Sequence, residues 1–325
     1  MFFFLLRRLA QSVAVLWFMS VIVFAGIYVV GDPASMMIPD NVTPEMRDQM
    51  MAALGLDKPA YAQYLDFAGR LLDGSLGRSF ATGLPVTELL ASRLPATLEL
   101  AVAATVIAVV VGPPPGLVAG RWPTTPVGRA LTFLSSLGFS LPTFWLGLML
   151  IMVFAVILGW LPSGGRGPTT ALFGLQVSFM TWDGLRYLLL PATNLALFTA
   201  AMIMRLARSS TREALLMDYV KFARAKGLGQ GRLIGVHVLK NIMIPIVTVV
   251  GINFGGIIAF SVVTETIFGW PGMGKLLIDS VNALDRPVVL GYLLFVVLIY
   301  LVINLVVDLM YSWLDPRVTL GAESS

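Results

Sequence analysis

Three stretches of this sequence carry residue types from which chemistry could be built. Gly269 to Lys275 reads GWPGMGK, the spacing of a loop whose backbone N–H groups and lysine hold phosphates. The pattern fails at its last position, where Leu276 stands in place of the Ser or Thr whose hydroxyl would hold magnesium. The segment also follows a membrane helix rather than a sheet strand, so the chain is expected to have no ATPase site of its own. Gly138-Phe139-Ser140-Leu141-Pro142 begins like the sharp turn that presents a nucleophilic serine, but Pro142 replaces the closing glycine. The third is His237, the one histidine and the only candidate base; it lacks the second histidine and the glutamate of a zinc-protease helix. With no cysteine, disulfides and cysteine-ligated zinc or iron–sulfur centres are excluded. No catalytic residue, cofactor or metal is expected on this chain.

The elements that would position such residues are membrane helices. Only 12% of residues are charged and 57% are hydrophobic, whereas a soluble domain carries about 25% charged residues. A spanning helix needs about 20 apolar residues, and six runs free of Asp, Glu, Lys and Arg qualify: 9–30, 100–120, 130–165, 187–204, 241–264 and 287–307. The third is too short for two spans and a turn, so it reads as one long helix with flanks. The runs are continuous rather than alternating, which favours helices over a barrel. The first follows Arg7 and Arg8 as a signal peptide would, but its apolar core is too long for cleavage and it reads as an uncleaved anchor.

Charge sets the orientation. With the N-terminus in the cytoplasm, thirteen Lys and Arg lie on the inner side against nine outside, and five of those nine fall in one long loop that the positive-inside rule discounts. The expectation is an all-α membrane protein of six transmembrane helices with both termini cytoplasmic. Its parts are an anchor and first span over 1–30, a periplasmic helical loop over 31–99, a five-helix core over 100–312 and a cytoplasmic tail over 313–325.

In the outer loop, Thr43 can cap a helix that runs to about Leu54 and stops at Gly55, with Pro44 and Glu45 in its first turn. A second helical pattern from Tyr61 to Leu72 ends at Gly74. The pair reads as a small cap on the membrane domain or a docking surface for an external partner. The inner loop, 205–241, is strongly basic. Ser209, Ser210 and Thr211 offer caps, Glu213 would sit in the first turn, and the helix would continue through Tyr219 and Phe222 to Gly227. Its apolar side chains need cover, from a partner's groove or from anionic membrane lipid beneath a helix lying flat. Within the spans, Asn194, Asn253, Ser261 and Asn304 could line a path or hydrogen-bond between helices. Asp308 is the one ionisable group inside a predicted span, and it is expected to pair with a basic residue.

DYVKFARAKGLG at 218–229, with His237-Val238-Leu239-Lys240-Asn241 and Ile244-Pro245 after it, resembles the coupling loop of ATP-binding-cassette importer permeases of the dipeptide and oligopeptide family. Ala223 and Gly227 match the loop's second alanine and its glycine, while Lys221 and Phe222 stand where the general pattern has Glu and Ala. The similarity extends along the chain: Gly31-Asp32-Pro33, LGLDKP at 54–59, DGSLGRS at 73–79, RLPATLEL at 93–100, SLPTFWLGL at 140–148, ETIFGWPGMGKLL at 265–277 and NLVVDLMYSWLDPR at 304–317. Pro113-Pro114-Pro115 has no counterpart in that reading, and three prolines should end or kink the second helix.

The resemblance implies a type I importer permease fold and several partners. These are a second homologous permease in a heterodimer, two cytoplasmic ATPases that use ATP and magnesium, and a periplasmic or surface-anchored binding protein; nucleic acid is not among them. It implies ATPase coupling through Glu213, Tyr219, Phe222, Ala223, Ala225, Gly227, Leu228 and Gly229. It further implies a translocation path past Ser140, Asn194, Asn253, Ser261 and Asn304, and contact with the external partner at Glu265, Trp270, Gly272 and Gly274. The competing readings are a membrane scaffold with a lipid-binding basic loop and an ion-coupled carrier, the second disfavoured by the scarcity of mid-membrane charge.

Overall fold

A computed structural model describes residues 2–30, 42–54, 57–172 and 174–314. Helices α1 (Phe2–Val30), α2 (Pro44–Leu54), α3 (Ala60–Leu72), α4 (Val86–Val111), α5 (Pro113–Arg121), α6 (Pro126–Ser140) and α7 (Thr143–Leu150) come first. A π-helical turn, Ile151–Ile157, and a hairpin of β1 (Thr170–Leu172) and β2 (Leu175–Val177) follow. The remainder is α8 (Trp182–Leu216), α9 (Asp218–Ala225), the single turn α10 (Gln230–Arg232), a π-helical turn Leu233–Val238, α11 (Leu239–Ile267), α12 (Met273–Asn282) and α13 (Arg286–Leu314). Five helices are long and apolar enough to cross a membrane, and α6 with α7 makes a sixth if the bent pair counts as one span. Gly31-Asp32-Pro33, the helix stop Gly55 and most of the tail, 315–325, lie outside the described residues.

The chain divides into two compact units. In the first, residues 1–92, 277–305 and 312–325, Tyr64 of α3 meets α1 through Ser20, hydroxyl to hydroxyl at 3.0 Å, and Phe24 packs on Tyr64 and Phe67. Asp285 ties down the turn before α4: its carboxylate accepts from the Ser79 hydroxyl and from the Phe80 and Ala81 amides. Thr43 caps α2 as expected, and Gly74, at φ +74°, follows α3.

The second unit, residues 93–276 with a short piece of α13, is built on α8. Gly112, Gly116 and Gly120 form a stripe one helical turn apart against that helix. A Cβ on Gly116 would lie 2.5 Å from the Met204 carbonyl oxygen, and one on Gly120 would lie 2.7 Å from that of Arg208. Small residues let two spans approach to this distance and gain van der Waals contact that larger ones would forbid. Gly116→Val should push the helices apart at a cost of about 2–3 kcal/mol by overpacking, read as a lower thermal midpoint of the purified protein. The three prolines do not end the second span. They occupy the first turn of α5, where missing N–H groups cost nothing, and the Gly112 amide still donates to the Ala108 carbonyl.

Several expected boundaries are corrected. The run 130–165 is not one long helix: α6 and the α7 segment meet at 109°. Leu141, preceding Pro142, is held extended at φ −86°, ψ 128°, because the proline ring bars it from the helical region. The fourth helix is much longer than 187–204. Thr181 caps it at Gly184, and it carries on past six charged side chains to Leu216. Ser209 and Thr211 are therefore not caps; their hydroxyls bond back to the Leu206 and Ala207 carbonyls. Glu213 lies in the last turn of α8, not in the first turn of the short helix that follows. The second span begins at Val86, inside the stretch expected as outer loop.

Candidate functional site

Two internal networks and one exposed segment concentrate the polar and special-conformation residues of the second unit. The first network is centred on Glu265, whose carboxylate is fully buried near the end of α11. It accepts from the Thr97 hydroxyl of α4 at 2.7 Å, from Ser261 at 3.1 Å and from the Lys275 amide at 3.1 Å. Thr97 in turn accepts from the Met273 amide at 2.8 Å, and the Trp270 indole donates to the Ala96 carbonyl at 2.9 Å. Gly272 has to be glycine here, since a Cβ would come within 2.4 Å of the carboxylate. The segment whose spacing imitates a phosphate loop thus opens α12 around a carboxyl group that accepts hydrogen bonds. That group belongs to the chain itself.

Glu265 and Trp270 were expected at an external contact. Both side chains have 0% exposure, so they face the chain's own interior rather than a partner. Gly272 and Gly274 give the backbone room to pass Glu265 and the Val262 backbone.

The second network was missed from the sequence. Glu99 of α4 takes the Arg166 guanidinium on one oxygen, while the other accepts the Ser178 amide at 2.6 Å, the Ser178 hydroxyl at 2.8 Å and the Phe179 amide at 2.9 Å. Arg166 also donates to the Gln176 carbonyl and lies 5.6 Å from the centre of the Trp270 ring. The only signal in the sequence was a lone acid at the edge of one apolar run and a lone base at the edge of another. Asp308 is therefore not the one ionisable group within a span: Glu99 and Glu265 lie inside helices that qualify as spans. A search for uncharged runs clips a helix at such residues even where distant donors satisfy them. Ser178→Ala should cost about 1.5 kcal/mol, the worth of one hydrogen bond to a charged acceptor, and leave the hairpin in place; circular dichroism and a thermal melt check both.

The proposed path residues are not gathered in one place by hydrogen bonds. Asn194 is buried and donates to Thr264 at 3.0 Å, tying α8 to α11. Asn253 bonds to the Val249 carbonyl in its own helix and to the Met202 sulfur, and Ser261 belongs to the Glu265 network. Ser140 is exposed and Asn304 half-buried, each bonded one turn back along its own helix. Beside Ser140, Phe139 is packed between Phe198 and the Arg205 guanidinium, the latter 4.2 Å from the ring centre.

The exposed segment is 217–229. Met217, at φ −71°, ψ 149°, breaks α8 and starts α9. Val220 and Ala223 are buried against the rest of the unit, while Leu216, Met217 and Phe222 are exposed, Phe222 at 70%. Lys221 bonds Asp218 at 2.9 Å and holds its carboxyl below the usual range. The helix ends in a left-handed turn: Gly227 has φ +75°, its amide reaches the Arg224 carbonyl, and the Leu228 amide reaches that of Ala223. A Cβ at Gly227 would meet nothing within 4 Å. Ala225 and Gly229 are also exposed, and Leu228 is half-buried. The segment thus presents a short helix with an apolar surface and an open glycine turn. Among the described residues no cluster of three or more His, Cys, Asp or Glu could hold a metal ion.

Comparison with known proteins brings this geometry into a group. Residues 112–320 match the family described as binding-protein-dependent transport system inner membrane component, and residues 1–101 match its N-terminal companion. The chain is 40% identical over 331 residues to the di/tripeptide transport system permease protein DppB of Pseudomonas aeruginosa, covering 97% of this chain and 98% of that one. It is 39% identical over 339 residues to the dipeptide transport system permease protein DppB of Escherichia coli K12, with the same coverage. It is 35% identical over 317 residues to the oligopeptide transport system permease protein AppB of Bacillus subtilis, again with 97% and 98% covered. Among solved structures, a chain of the MetNI methionine ABC transporter in an inward-facing conformation superposes with a TM-score of 0.54. The identity is 16%, over 70% of this chain and 97% of that one, which shows a shared fold.

Proposed function

This chain belongs to the family of binding-protein-dependent transport system inner membrane components, a multi-pass bacterial inner-membrane protein, and from that premise we propose that it is the permease subunit of an ATP-driven importer of di- and oligopeptides. The observation that carries the substrate class is end-to-end similarity to three permeases named for di/tripeptide, dipeptide and oligopeptide transport. The chain acts without catalysing a reaction. It forms the path with a second, homologous permease, receives substrate from an external binding protein, and binds no cofactor. Two cytoplasmic ATPase subunits hydrolyse ATP with magnesium and dock on the 217–229 segment, whose exposed Phe222 and open Gly227 turn suit a partner's cleft. ATPase closure then biases the bundle between two states. This reading puts both termini and the 205–241 segment in the cytoplasm. A scaffold role would not require a helix of this form beside a left-handed glycine, and an ion-coupled carrier is disfavoured by the family.

The experiment is co-expression of the tagged chain with its chromosomal neighbours in nanodiscs. A second permease and ATPase subunits should co-purify, and labelled dipeptide should enter reconstituted vesicles only when ATP and the binding protein are present. A chain that purifies alone, with no uptake, would overturn the assembly; uptake of another solute in place of peptides would overturn only the substrate class.

A further inference from the structure

Four arginines are brought to one end of the second unit by the packing of three helices. Gly120, at the end of α5, lies against α8: a Cβ there would be 2.7 Å from the Arg208 carbonyl oxygen and 2.7 Å from the Thr211 Cβ. The turn that follows is tied by Thr125, whose hydroxyl donates to the Trp122 carbonyl at 2.8 Å and accepts from the Gly128 amide at 3.1 Å. Helix α6 then runs back along α8 to Gly138, where a Cβ would lie 2.7 Å from that of Ala201. Gly128 to Gly138 and Ala201 to Thr211 are equal steps along the chain, each about 15 Å of helix. The end of α5, the start of α6 and residues 208–212 of α8 therefore sit at one depth.

At that depth stand Arg121, Arg129, Arg208 and Arg212, and the segments 121–129 and 208–212 contain no Asp or Glu. Among the described residues Arg129, Arg208 and Arg212 make no ion pair, nor does Glu213, the acid next in sequence. The buried Nε of Arg208 has no hydrogen-bond partner among them either. Like charges gathered without a carboxylate repel one another, so an anion is favoured here. All four bases are arginine, whose planar fork takes phosphate oxygens two at a time. Two observations set that phosphate in a membrane surface. The span Val86–Arg121 ends at Arg121, so hydrocarbon gives way to headgroups at this level. Between Arg121 and Arg129 in the chain, Trp122 and Val127 are 48% and 59% exposed, and the Arg121 guanidinium lies 5.7 Å from the centre of the Trp122 ring. Tryptophan beside basic residues is the composition of a membrane boundary. A dissolved phosphate would use only the arginines, whereas a phospholipid uses them and covers the apolar side chains as well.

We propose that this cluster binds the headgroup phosphate of an anionic phospholipid of the cytoplasmic leaflet, with Trp122 and Val127 against the lipid's apolar part. The leaflet rests on the orientation given under the proposed function; the substrate of the transporter does not enter.

The test uses the complete transporter in nanodiscs. The chain has no cysteine, so Thr124→Cys, exposed in the α5–α6 turn, offers a single fluorophore site once cysteines of the other subunits are replaced. Phosphatidylglycerol with brominated acyl chains should quench the fluorophore at a lower mole fraction than brominated phosphatidylcholine. The difference should be at least about fivefold, the equivalent of the about 1 kcal/mol that one arginine near an anionic surface contributes. Arg208→Gln with Arg212→Gln should remove most of that preference, and Arg129→Gln, on another helix, should lower it. Equal quenching by the two lipids, or a preference unchanged in both variants, would overturn the proposal. Quenching by neither lipid would mean that protein covers the cluster, and would overturn it too. So would loss of the preference in inorganic phosphate but not in chloride of equal ionic strength, since free phosphate would then be the ligand. In cells, a membrane-impermeant thiol reagent should reach Thr124→Cys only after permeabilisation. Labelling from outside would overturn the orientation and with it the leaflet, whereas equal quenching at a site reached only from within overturns the lipid alone.

Discussion

Glu265→Ala is expected to destabilise the protein by about 3 kcal/mol or more, because it strands donors in a sealed interior at roughly 1–3 kcal/mol each. The Lys275 amide and the Thr97 hydroxyl lose the carboxylate as acceptor, while the Ser261 hydroxyl keeps the Ile258 carbonyl. At roughly 2–4 °C per kcal/mol for a domain of this size, the thermal midpoint in detergent should fall by about 10 °C. Glu265→Gln should fall between wild type and alanine: it keeps the shape and one acceptor, but turns an amide NH₂ toward groups that also donate. Gly272→Ala should mimic the loss from the other side, since its methyl group would enter the space of the carboxylate. A midpoint unmoved by Glu265→Ala would show that the network contributes nothing to stability.

Gly227→Asp is expected to abolish coupling while leaving folding nearly intact. Left-handed backbone at +75° costs an L-residue roughly 1–2 kcal/mol, with Asp among the more tolerant. The new side chain enters open space, so within this chain it clashes with nothing. In the assembled transporter the same space is where an ATPase would sit, and a carboxylate facing an apolar cleft is repelled by desolvation. Peptide uptake and transport-stimulated ATP hydrolysis should drop at least about tenfold, equivalent to losing about 1.4 kcal/mol of docking, with the amount of inserted protein unchanged. Phe222→Ala should weaken docking as well, by removing an exposed aromatic anchor. Normal uptake by Gly227→Asp would remove the docking role from this segment.

Much of the architecture was legible because it is local. A continuous apolar run declares a span wherever it falls, and the lack of cysteine closes whole classes of chemistry. The glycine that stops α9 and the caps on α2 are set by residues within one turn of the atoms they serve. The bend at Pro142 was equally local, but the length of the run hid it: 130–165 suits a single long helix until the extended conformation forced on Leu141 is taken into account. The triple proline errs the other way, since its effect depends on falling in the first turn of a new helical segment rather than inside the old one.

The sequence by itself determined that this is a multi-helix membrane chain with a short helix that stops at Gly227. Only the tertiary structure decided what the GWPGMGK segment holds, and it holds Glu265. Tertiary contacts also matched Glu99 with Arg166 across 67 positions and set Gly112, Gly116 and Gly120 against α8. The physical reason is the same in each case. Whether a buried charge or a glycine stripe is tolerated depends on donors and surfaces brought from far along the chain, and neighbouring residues carry no trace of them.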